Sequence, residues 1–362
     1  MRALVLGGYG NFGARIVRAL SGQPGLEVLV GGRDPARGIV IDHTAADFGE
    51  RLRSLDVDLL IHTAGPFQQQ AYDVARAAVA AGVHYVDLAD GRRFVCDFAA
   101  AVDALAVEQG VAAITGASSV PALSAAVVDH LTQGWRCVVS IETCIAPAQT
   151  APRGRATLAG VLAYCGEPVR VWQDSRWTVQ TGWADLVKIR FARLAPRWGA
   201  LCDVPDLELF VERYPGIESV MFRAALELGI GQRVFALLAQ LRAMRLIPSP
   251  SRFAAMLDTA GKPFDRFGSS VGGMVVRVRG IDSNGLPVAR AWHVTAPDNH
   301  GPEIPVMAAV VLARRLARGE TWRPGARPCM GLVALAEFDE SFAHWNMTTD
   351  IVDETWLPTG PE

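Results

Sequence analysis

The chain has 362 residues, a length typical of two domains that share an interface. Its 35 Lys and Arg residues nearly balance its 37 Asp and Glu residues, and the net charge of −2 offers no basic field for nucleic acid, so we expect no nucleic-acid partner. Half of the residues are apolar and only 20% are charged, which excludes a disordered chain.

The compartment is predicted from the cysteines and from the apolar runs. The six cysteines form no C-x-x-C pair, and a chain of this length needs no disulfide framework, so we expect reduced thiols. The N-terminus has no signal-peptide pattern, and the best apolar stretch, residues 234–241, is too short to span a bilayer. No histidine spacing predicts a metal site. Together these features predict a cytoplasmic protein without a spanning segment.

Short apolar runs alternate with helical patterns as far as residue 120. This alternation is typical of repeated βα units and a parallel sheet. Phe12, Ile16 and Leu20 recur every four residues and predict an apolar stripe on the first helix. Two later helices, at 71–81 and 94–109, are expected to end at a glycine. The predicted strands are 3–6, 28–30, 39–41, 59–61, 85–88 and 112–114.

A glycine motif stands between the first strand and the first helix. It reads Gly8-Tyr9-Gly10-Asn11-Phe12-Gly13 and matches G-x-G-x-x-G. In this strand–turn–helix setting the motif predicts a Rossmann domain, a doubly wound parallel sheet that binds a dinucleotide. We assign the tight turn to Gly8, the close approach of a pyrophosphate to Gly10, and close helix–strand packing to Gly13. All six residues are therefore candidate cofactor contacts.

The second strand ends in the residues that would select the cofactor. Arg33 lies where the side chain that recognises the ribose is expected, and its guanidinium suits a 2′-phosphate. This predicts NADP. The alternative is that Asp34 binds the ribose while Arg33 is a solvated charge, and NAD would then be the cofactor.

The loop after the fourth strand follows His62 and is expected at the carboxyl edge of the sheet, where ligands bind. We expect Thr63 to donate to cofactor oxygens. Ala64, Gly65 and Pro66 would form a backbone wall beside the ribose and nicotinamide. The alternative is an ordinary turn.

Catalytic candidates lie around the fifth strand. His84, Tyr85 and Asp87 are predicted on the side where a substrate would meet the cofactor, and Asp90 follows them. Tyr85 and Asp87 are two residues apart and share a strand face. The alternatives are a tyrosine that belongs to the core and an aspartate that caps the next helix.

The pattern changes after about residue 135 and predicts a second, α+β domain. Its strand-like runs are at 138–141, 176–180, 274–278 and 289–294. Residues 219–247 are strongly apolar with scattered arginines; we favour burial or a dimer interface, with a helix lying on a membrane surface as the alternative. We expect domains at 1–130 and 131–300. A helix and tail at 301–362 would follow, with the helix at 305–316 able to return to the first domain.

Four stretches match a known pattern: residues 4–13, Gly32-Arg33, residues 61–67 and His84-Tyr85-Val86-Asp87. With these residues the chain resembles the saccharopine dehydrogenase-like oxidoreductases, in particular an uncharacterised bacterial branch. The resemblance implies a Rossmann domain, an α+β domain over the nicotinamide, and often a dimer. The acidic D-P-G-type motif of saccharopine reductases is replaced here by residues 116–121, Gly-Ala-Ser-Ser-Val-Pro, so saccharopine is not the expected substrate.

These features and the resemblance together predict an NADP-dependent oxidoreductase. It would act on a small molecule with a C=N, C–N or C=O group, as a homodimer. Two alternatives remain open: a sensor that binds NADP(H) without turnover, and a lipid-directed C=C (enoyl) reductase at a membrane surface.

Overall fold

The computed structural model describes residues 1–152, 160, 162–253, 256, 259 and 261–356. The chain divides into two compact units. The first combines Met1–Leu123 with Glu303–Phe338, and the second combines Ser124–Pro302 with the chain from Asp339 onward. The boundary expected at 130 lies inside a helix of the second unit, and the expected C-terminal segment 301–362 is divided between the units.

The elements have the following bounds. The strands are β1 (Arg2–Leu6), β2 (Glu27–Gly32), β3 (Ile39–Val40), β4 (Leu59–His62), β5 (His84–Asp87), β6 (Ala112–Thr115), β7 (Cys137–Ala146), β8 (Pro168–Gln173), β9 (Arg176–Thr181), β10 (Val187–Ile189), β11 (Arg197–Leu201), β12 (Ser219–Ala224), β13 (Gly272–Ile281), β14 (Pro287–Ala296), β15 (Gly325–Pro328) and β16 (Thr348–Glu354). The helices are α1 (Gly13–Leu20), α2 (Phe48–Ser54), α3 (Asp73–Ala80), α4 (Arg92–Cys96), α5 (Phe98–Glu108), α6 (Ser124–Leu131), α7 (Asp206–Arg213), α8 (Gly229–Ala243), α9 (Met307–Ala317) and α10 (Asp339–His344).

The first unit contains a seven-stranded parallel sheet with the order β15-β6-β5-β4-β1-β2-β3. The strand order reverses between β1 and β4, which is the position of the ligand crevice in doubly wound sheets. The six predicted strands are all present, and the predicted doubly wound sheet is confirmed. The seventh strand, β15, was not predicted.

Local sequence explains how the first unit's helices form and end. Ile16 and Leu20 of α1 are buried as the apolar stripe predicts, whereas Phe12 precedes the helix and is half-buried. Gly82 and Gly110 follow α3 and α5 with φ of +74° and +67°, the left-handed conformation that ends a helix. The single helix expected at 94–109 is two helices, α4 and α5.

The second unit is built on a nine-stranded mixed sheet. Its path runs β10-β11-β12-β7-β13-β14-β16, and the β8–β9 hairpin joins it at β12. β7 and β12 are parallel, and β13 lies antiparallel to both β7 and β14. The four strand-like runs of the sequence fall in β7, β9, β13 and β14, so the predicted second α+β domain is confirmed.

Two segments differ from their sequence interpretation. The apolar stretch 219–247 begins as the strand β12 inside the sheet and only then forms α8, because the first part pairs with β7. The tail, for which the sequence gives no prediction, forms α10 and the strand β16 beside β14. None of the helices within the described ranges is both long enough and apolar enough to cross a membrane.

Residues 303–338 connect to the first unit through its first helix. α9 packs against α1, and the carboxylate of Glu303 contacts Arg15 at 3.0 Å and Arg18 at 2.7 Å. Glu303 is buried, so these ion pairs are partly shielded from water. They tie the returning segment to α1.

Candidate functional site

The candidate site lies at the carboxyl edge of the parallel sheet. Because its strands all run the same way, the loops that follow β1, β2, β4, β5 and β6 meet along one edge. These loops contain the glycine motif, Arg33 and most of the polar residues that the sequence analysis selected.

The glycine turn begins one residue earlier than the motif suggests. Gly7 has a φ of +79°, and its N–H donates to Gly31 O at 2.9 Å. A Cβ on Gly8 would lie 2.9 Å from Val5 O and 3.0 Å from Val30 Cγ1. The tight turn therefore requires Gly7, and the role of Gly8 is close packing against the strands.

Gly10 and Gly13 have different surroundings. A Cβ on Gly13 would lie 2.2 Å from Gly7 O and 2.7 Å from Thr63 Oγ1, so only glycine allows this helix–strand contact. A Cβ on Gly10 would meet only Gly7 O, at 3.1 Å. Gly13 is therefore needed for close packing, whereas the one close contact at Gly10 is with the carbonyl oxygen of Gly7, and its role toward a pyrophosphate stays a prediction.

Backbone amides at the start of α1 are available to a ligand. In the part of the chain that the structure describes, the N–H groups of Asn11, Phe12 and Gly13 donate to no acceptor. The Asn11 side-chain oxygen accepts from Arg15 at 2.7 Å, which fixes this residue beside the turn. Unused amides and the positive end of a helix dipole form an anion site.

Tyr9 shapes the end of β2. Its hydroxyl accepts a hydrogen bond from Asp34 N at 2.9 Å, and a Cβ on Gly32 would lie 2.2 Å from the same oxygen, so the ring lies across Gly32. The Arg37 guanidinium stands 4.6 Å from the centre of the Tyr9 ring. Arg33 and Arg37 are both exposed, so two cations stand at this end of the strand.

The carboxylates near these arginines are engaged in local turns. Asp34 Oδ1 accepts from Ala36 N at 3.0 Å. Asp42 accepts from the backbone N–H of Thr44 at 2.9 Å and from its hydroxyl at 2.8 Å, and these bonds lower the pKa of Asp42. Arg37, which the sequence analysis did not select, could have been found as a second arginine close to Arg33.

Thr63 ties β4 to β1 beneath the glycine turn. Its N–H and its hydroxyl donate to Leu6 O at 2.9 Å and 2.8 Å. The hydroxyl hydrogen expected to reach a cofactor is therefore used within the protein, because Leu6 O is its acceptor. The following loop is held by Gln70, whose side-chain amide donates to Ala64 O at 2.7 Å and to Pro66 O at 3.1 Å.

A buried polar pair lies behind this loop. His62 Nδ1 and the Tyr85 hydroxyl share a hydrogen bond of 3.0 Å, and both residues are buried. Burial lowers the pKa of His62 to about 3, so its imidazole is neutral at physiological pH. Burial, reinforced by the nearby Asp87 carboxylate, raises the pKa of Tyr85 well above its ordinary value. Neither group ionises near neutral pH.

Asp87 joins the ends of β5 and β6. Its Oδ1 accepts from Thr115 Oγ1 at 2.9 Å, from Gly116 N at 2.8 Å and from Ala89 N at 2.9 Å. Its Oδ2 has no hydrogen-bond partner among the described residues. Burial raises the pKa of Asp87 to about 6 despite the three donors. Asp87 thus belongs to the carboxyl edge, in a buried position.

The other two candidates near β5, His84 and Asp90, lie at opposite edges of the sheet. His84 is the first residue of β5, at the opposite edge of the sheet, and its Nδ1 accepts from Ala112 N at 3.0 Å. Asp90 follows the strand and accepts from the Gln68 side chain at 3.0 Å. Burial raises the pKa of Asp90. The structure thus brings Asp90 and Asp87 to the carboxyl edge and leaves His84 away from it.

Solved structures with the same fold include two dehydrogenases. Saccharopine dehydrogenase (L-Glu forming) from Saccharomyces cerevisiae aligns with a TM-score of 0.70 and 12% identity, over 98% of this chain and 100% of that chain. The DAP dehydrogenase of C. glutamicum, in complex with DAP, aligns with a TM-score of 0.50 and 14% identity, over 95% and 98%. No protein-family model and no curated protein matches the sequence. The resemblance to saccharopine dehydrogenase-like proteins is confirmed for the fold.

Proposed function

We propose that the protein is an NADP-dependent oxidoreductase that transfers a hydride to or from the carbon of a C=N, C–N or C=O group in a small molecule. The observation that carries this proposal is the glycine turn, with three unused amides at the start of α1 and two arginines at the end of β2. The shared fold with two dehydrogenases supports it.

The residues of the first unit fit a dinucleotide. The amides of Asn11, Phe12 and Gly13 would bind the pyrophosphate, and Gly10 leaves room for its approach. The loop at Ala64, Gly65 and Pro66 would form the wall beside the nicotinamide ribose, held in place by Gln70. When bound, the dinucleotide supplies or accepts the hydride.

The preference for NADP rests on charge at the end of β2. Arg33 and Arg37 are exposed cations, and a guanidinium binds phosphate through paired N–H donors. Asp34, the residue that would bind the ribose of NAD, already uses its Oδ1 to accept from Ala36 N. We therefore assign the 2′-phosphate to the two arginines, with Tyr9 supporting Arg37.

The proposed reaction needs little acid catalysis. The carbon of an iminium group is already electrophilic, so its reduction needs no strong general acid. Asp90, half-buried with a raised pKa, is the carboxyl group that we propose for proton exchange with substrate. Asp87 and Tyr85 are buried and act in this proposal as positioning residues, and His84 is not retained.

The burial of Asp87 and Tyr85 also favours a second candidate function, an NADP(H)-binding sensor without turnover. Incubating the protein with NADPH and a panel of imines, ketones and enones separates the two. Oxidation of NADPH with any member supports the oxidoreductase, whereas binding of NADPH without oxidation across the panel supports the sensor.

Arg33→Ala tests the cofactor assignment. Removing a charged donor to phosphate should raise the NADPH dissociation constant about 10- to 100-fold, with less than about threefold change for NADH. Calorimetric titration measures both, and Arg51→Ala on α2, which removes an exposed arginine elsewhere, is the matched control. Equal losses for the two cofactors would contradict the role of Arg33.

A further inference from the structure

The described residues between 229 and 267 expose an unusual amount of apolar surface, and we call these described residues the 229–267 surface. More than half of the large exposed apolar side chains in the described chain lie within it. Ile230 is 63% exposed, Leu237 is 55% exposed and Phe267 is 62% exposed. A concentration of exposed apolar side chains of this kind is typical of an interaction site.

The helix α8 shows that this exposure is directional. Its buried face consists of Gln232, Ala236 and Ala239, while large apolar side chains such as Val234 and Leu237 point away from the protein. A helix that only had to pack on its own sheet would bury its large residues instead. The exposed face of α8 is therefore suited to another apolar environment.

The charge of this segment is as uneven as its hydrophobicity. Residues 229–267 contain five arginines and one lysine against two aspartates, although the whole chain has a net charge of −2. Arg233 and Arg245 are exposed beside the apolar face, whereas Arg242 is paired with Glu167 at 2.8 Å. The occupant of this surface should therefore combine apolar and anionic groups.

We propose that the 229–267 surface binds peripherally to bilayers that contain anionic lipids. Apolar side chains of α8 and Phe267 would enter the boundary between head groups and acyl chains, and Arg233 and Arg245 would contact the head groups. This proposal is independent of the oxidoreductase assignment, because it uses only residues of the second unit.

A second copy of the chain fits this surface less well. A two-fold dimer places the same patch of both copies in contact, so the arginines of one α8 would face those of the other. α8 has no acidic residue, and residues 229–267 as a whole have only two acidic residues against six basic ones, so like charges would predominate across such an interface, which is unfavourable. An anionic bilayer offers both an apolar environment for the exposed side chains and negative head groups for the arginines.

Vesicle sedimentation tests the proposal. The full chain should bind phosphatidylcholine vesicles containing 30% phosphatidylglycerol at least about tenfold more tightly than pure phosphatidylcholine, since two exposed arginines each contribute about fivefold. Leu237→Glu should lower binding to the anionic vesicles at least about tenfold. Leu286→Glu makes the same substitution at an exposed leucine in the turn between β13 and β14 and should leave binding unchanged.

Arg233→Gln sharpens the charge requirement. It should weaken binding to the anionic vesicles about fivefold, with no change for Arg53→Gln, an exposed arginine on α2 of the first unit. Circular dichroism of each variant confirms folding. Absence of binding, equal binding to both vesicle types, or a dimer in light scattering that Leu237→Glu converts to monomer would each overturn the proposal.

Discussion

The two sheets of this protein distribute their polar residues differently. In the parallel sheet of the first unit every strand ends at one edge, and His62, Asp87 and Thr115 lie at the ends of three neighbouring strands. In the mixed sheet of the second unit strands run both ways, and the buried polar residues Thr143, Arg197 and His293 lie on β7, β11 and β14, which are not neighbouring strands. Strand direction thus determines whether a site can be located from sequence.

Two buried carboxyl groups show the same contrast at the level of hydrogen bonds. One oxygen of Asp87 accepts three donors, and burial raises the pKa of Asp87 to about 6. Asp206 has no hydrogen-bond partner on either oxygen within the described ranges, and burial raises its pKa to about 7. Hydrogen bonds at the carboxyl edge of the parallel sheet therefore offset the burial of Asp87 better than the surroundings of Asp206 offset its burial.

Among the substitutions that test this comparison, Gly13→Ala should have the largest effect on the free energy of unfolding. The added Cβ would overlap with the backbone at Gly7, so we expect a loss of about 3 kcal/mol or more in the free energy of unfolding, measured by urea denaturation. Gly10→Ala, whose Cβ would meet only Gly7 O at 3.1 Å, is the matched control and should cost about 1 kcal/mol. Similar costs for the two variants would show that the turn does not organise the edge.

Asp206→Asn should have the next largest effect. Because the pKa of Asp206 is raised on folding, its stabilising contribution is present below pH 4 and is lost as pH rises through 7. Between pH 5 and pH 8 the native protein should therefore lose about 3 kcal/mol of unfolding free energy relative to the variant. Urea denaturation at both pH values measures this, with the exposed Asp174→Asn as control. If the unfolding free energies of the native protein and of the Asp206→Asn variant changed equally with pH, the raised pKa of Asp206 would be contradicted.

Asp87→Asn should show the same pH dependence with a smaller change in the free energy of unfolding. The pKa of Asp87 is raised less, so the stability lost by the native protein relative to the variant between pH 5 and pH 8 should be about 1 kcal/mol. Asparagine keeps the oxygen that accepts from Thr115, Gly116 and Ala89, which limits other damage. A pH effect as large as that of Asp206→Asn would reverse the comparison between the two units.

Much of the first unit could be predicted because each βα unit repeats the same local signals. Buried runs in β1, β4 and β6, followed by glycines, determine both the strands and the edge on which the motif lies. β15 escaped prediction because Gly325–Pro328 is short and ends in proline, so only its pairing with β6 makes it a strand. β16 has an exposed, partly charged sequence and likewise depends on its neighbour.

The candidate site was predictable in location but only partly in detail. The glycine turn and Arg33 carry local patterns, whereas the contacts of Gln68 and Gln70 join separate loops that no spacing reveals. The sequence analysis placed His84 with Asp87 because the two residues are close in sequence. They are the first and last residues of β5, however, so they lie at opposite edges of the sheet. The uniform hydrophobicity of residues 219–247 hid a change from strand to helix.

The position of β15 has a consequence for how this protein is made. β15 pairs with β6 from residue 325 to residue 112, a separation of 213 positions (325 − 112) that contains almost the whole second unit. During synthesis, β6 therefore leaves the ribosome long before β15. One edge of β6 has no partner strand until residue 328 has been synthesised. An unpaired strand edge can pair with other chains, so β6 stays open to such contacts for as long as the intervening second unit is being synthesised.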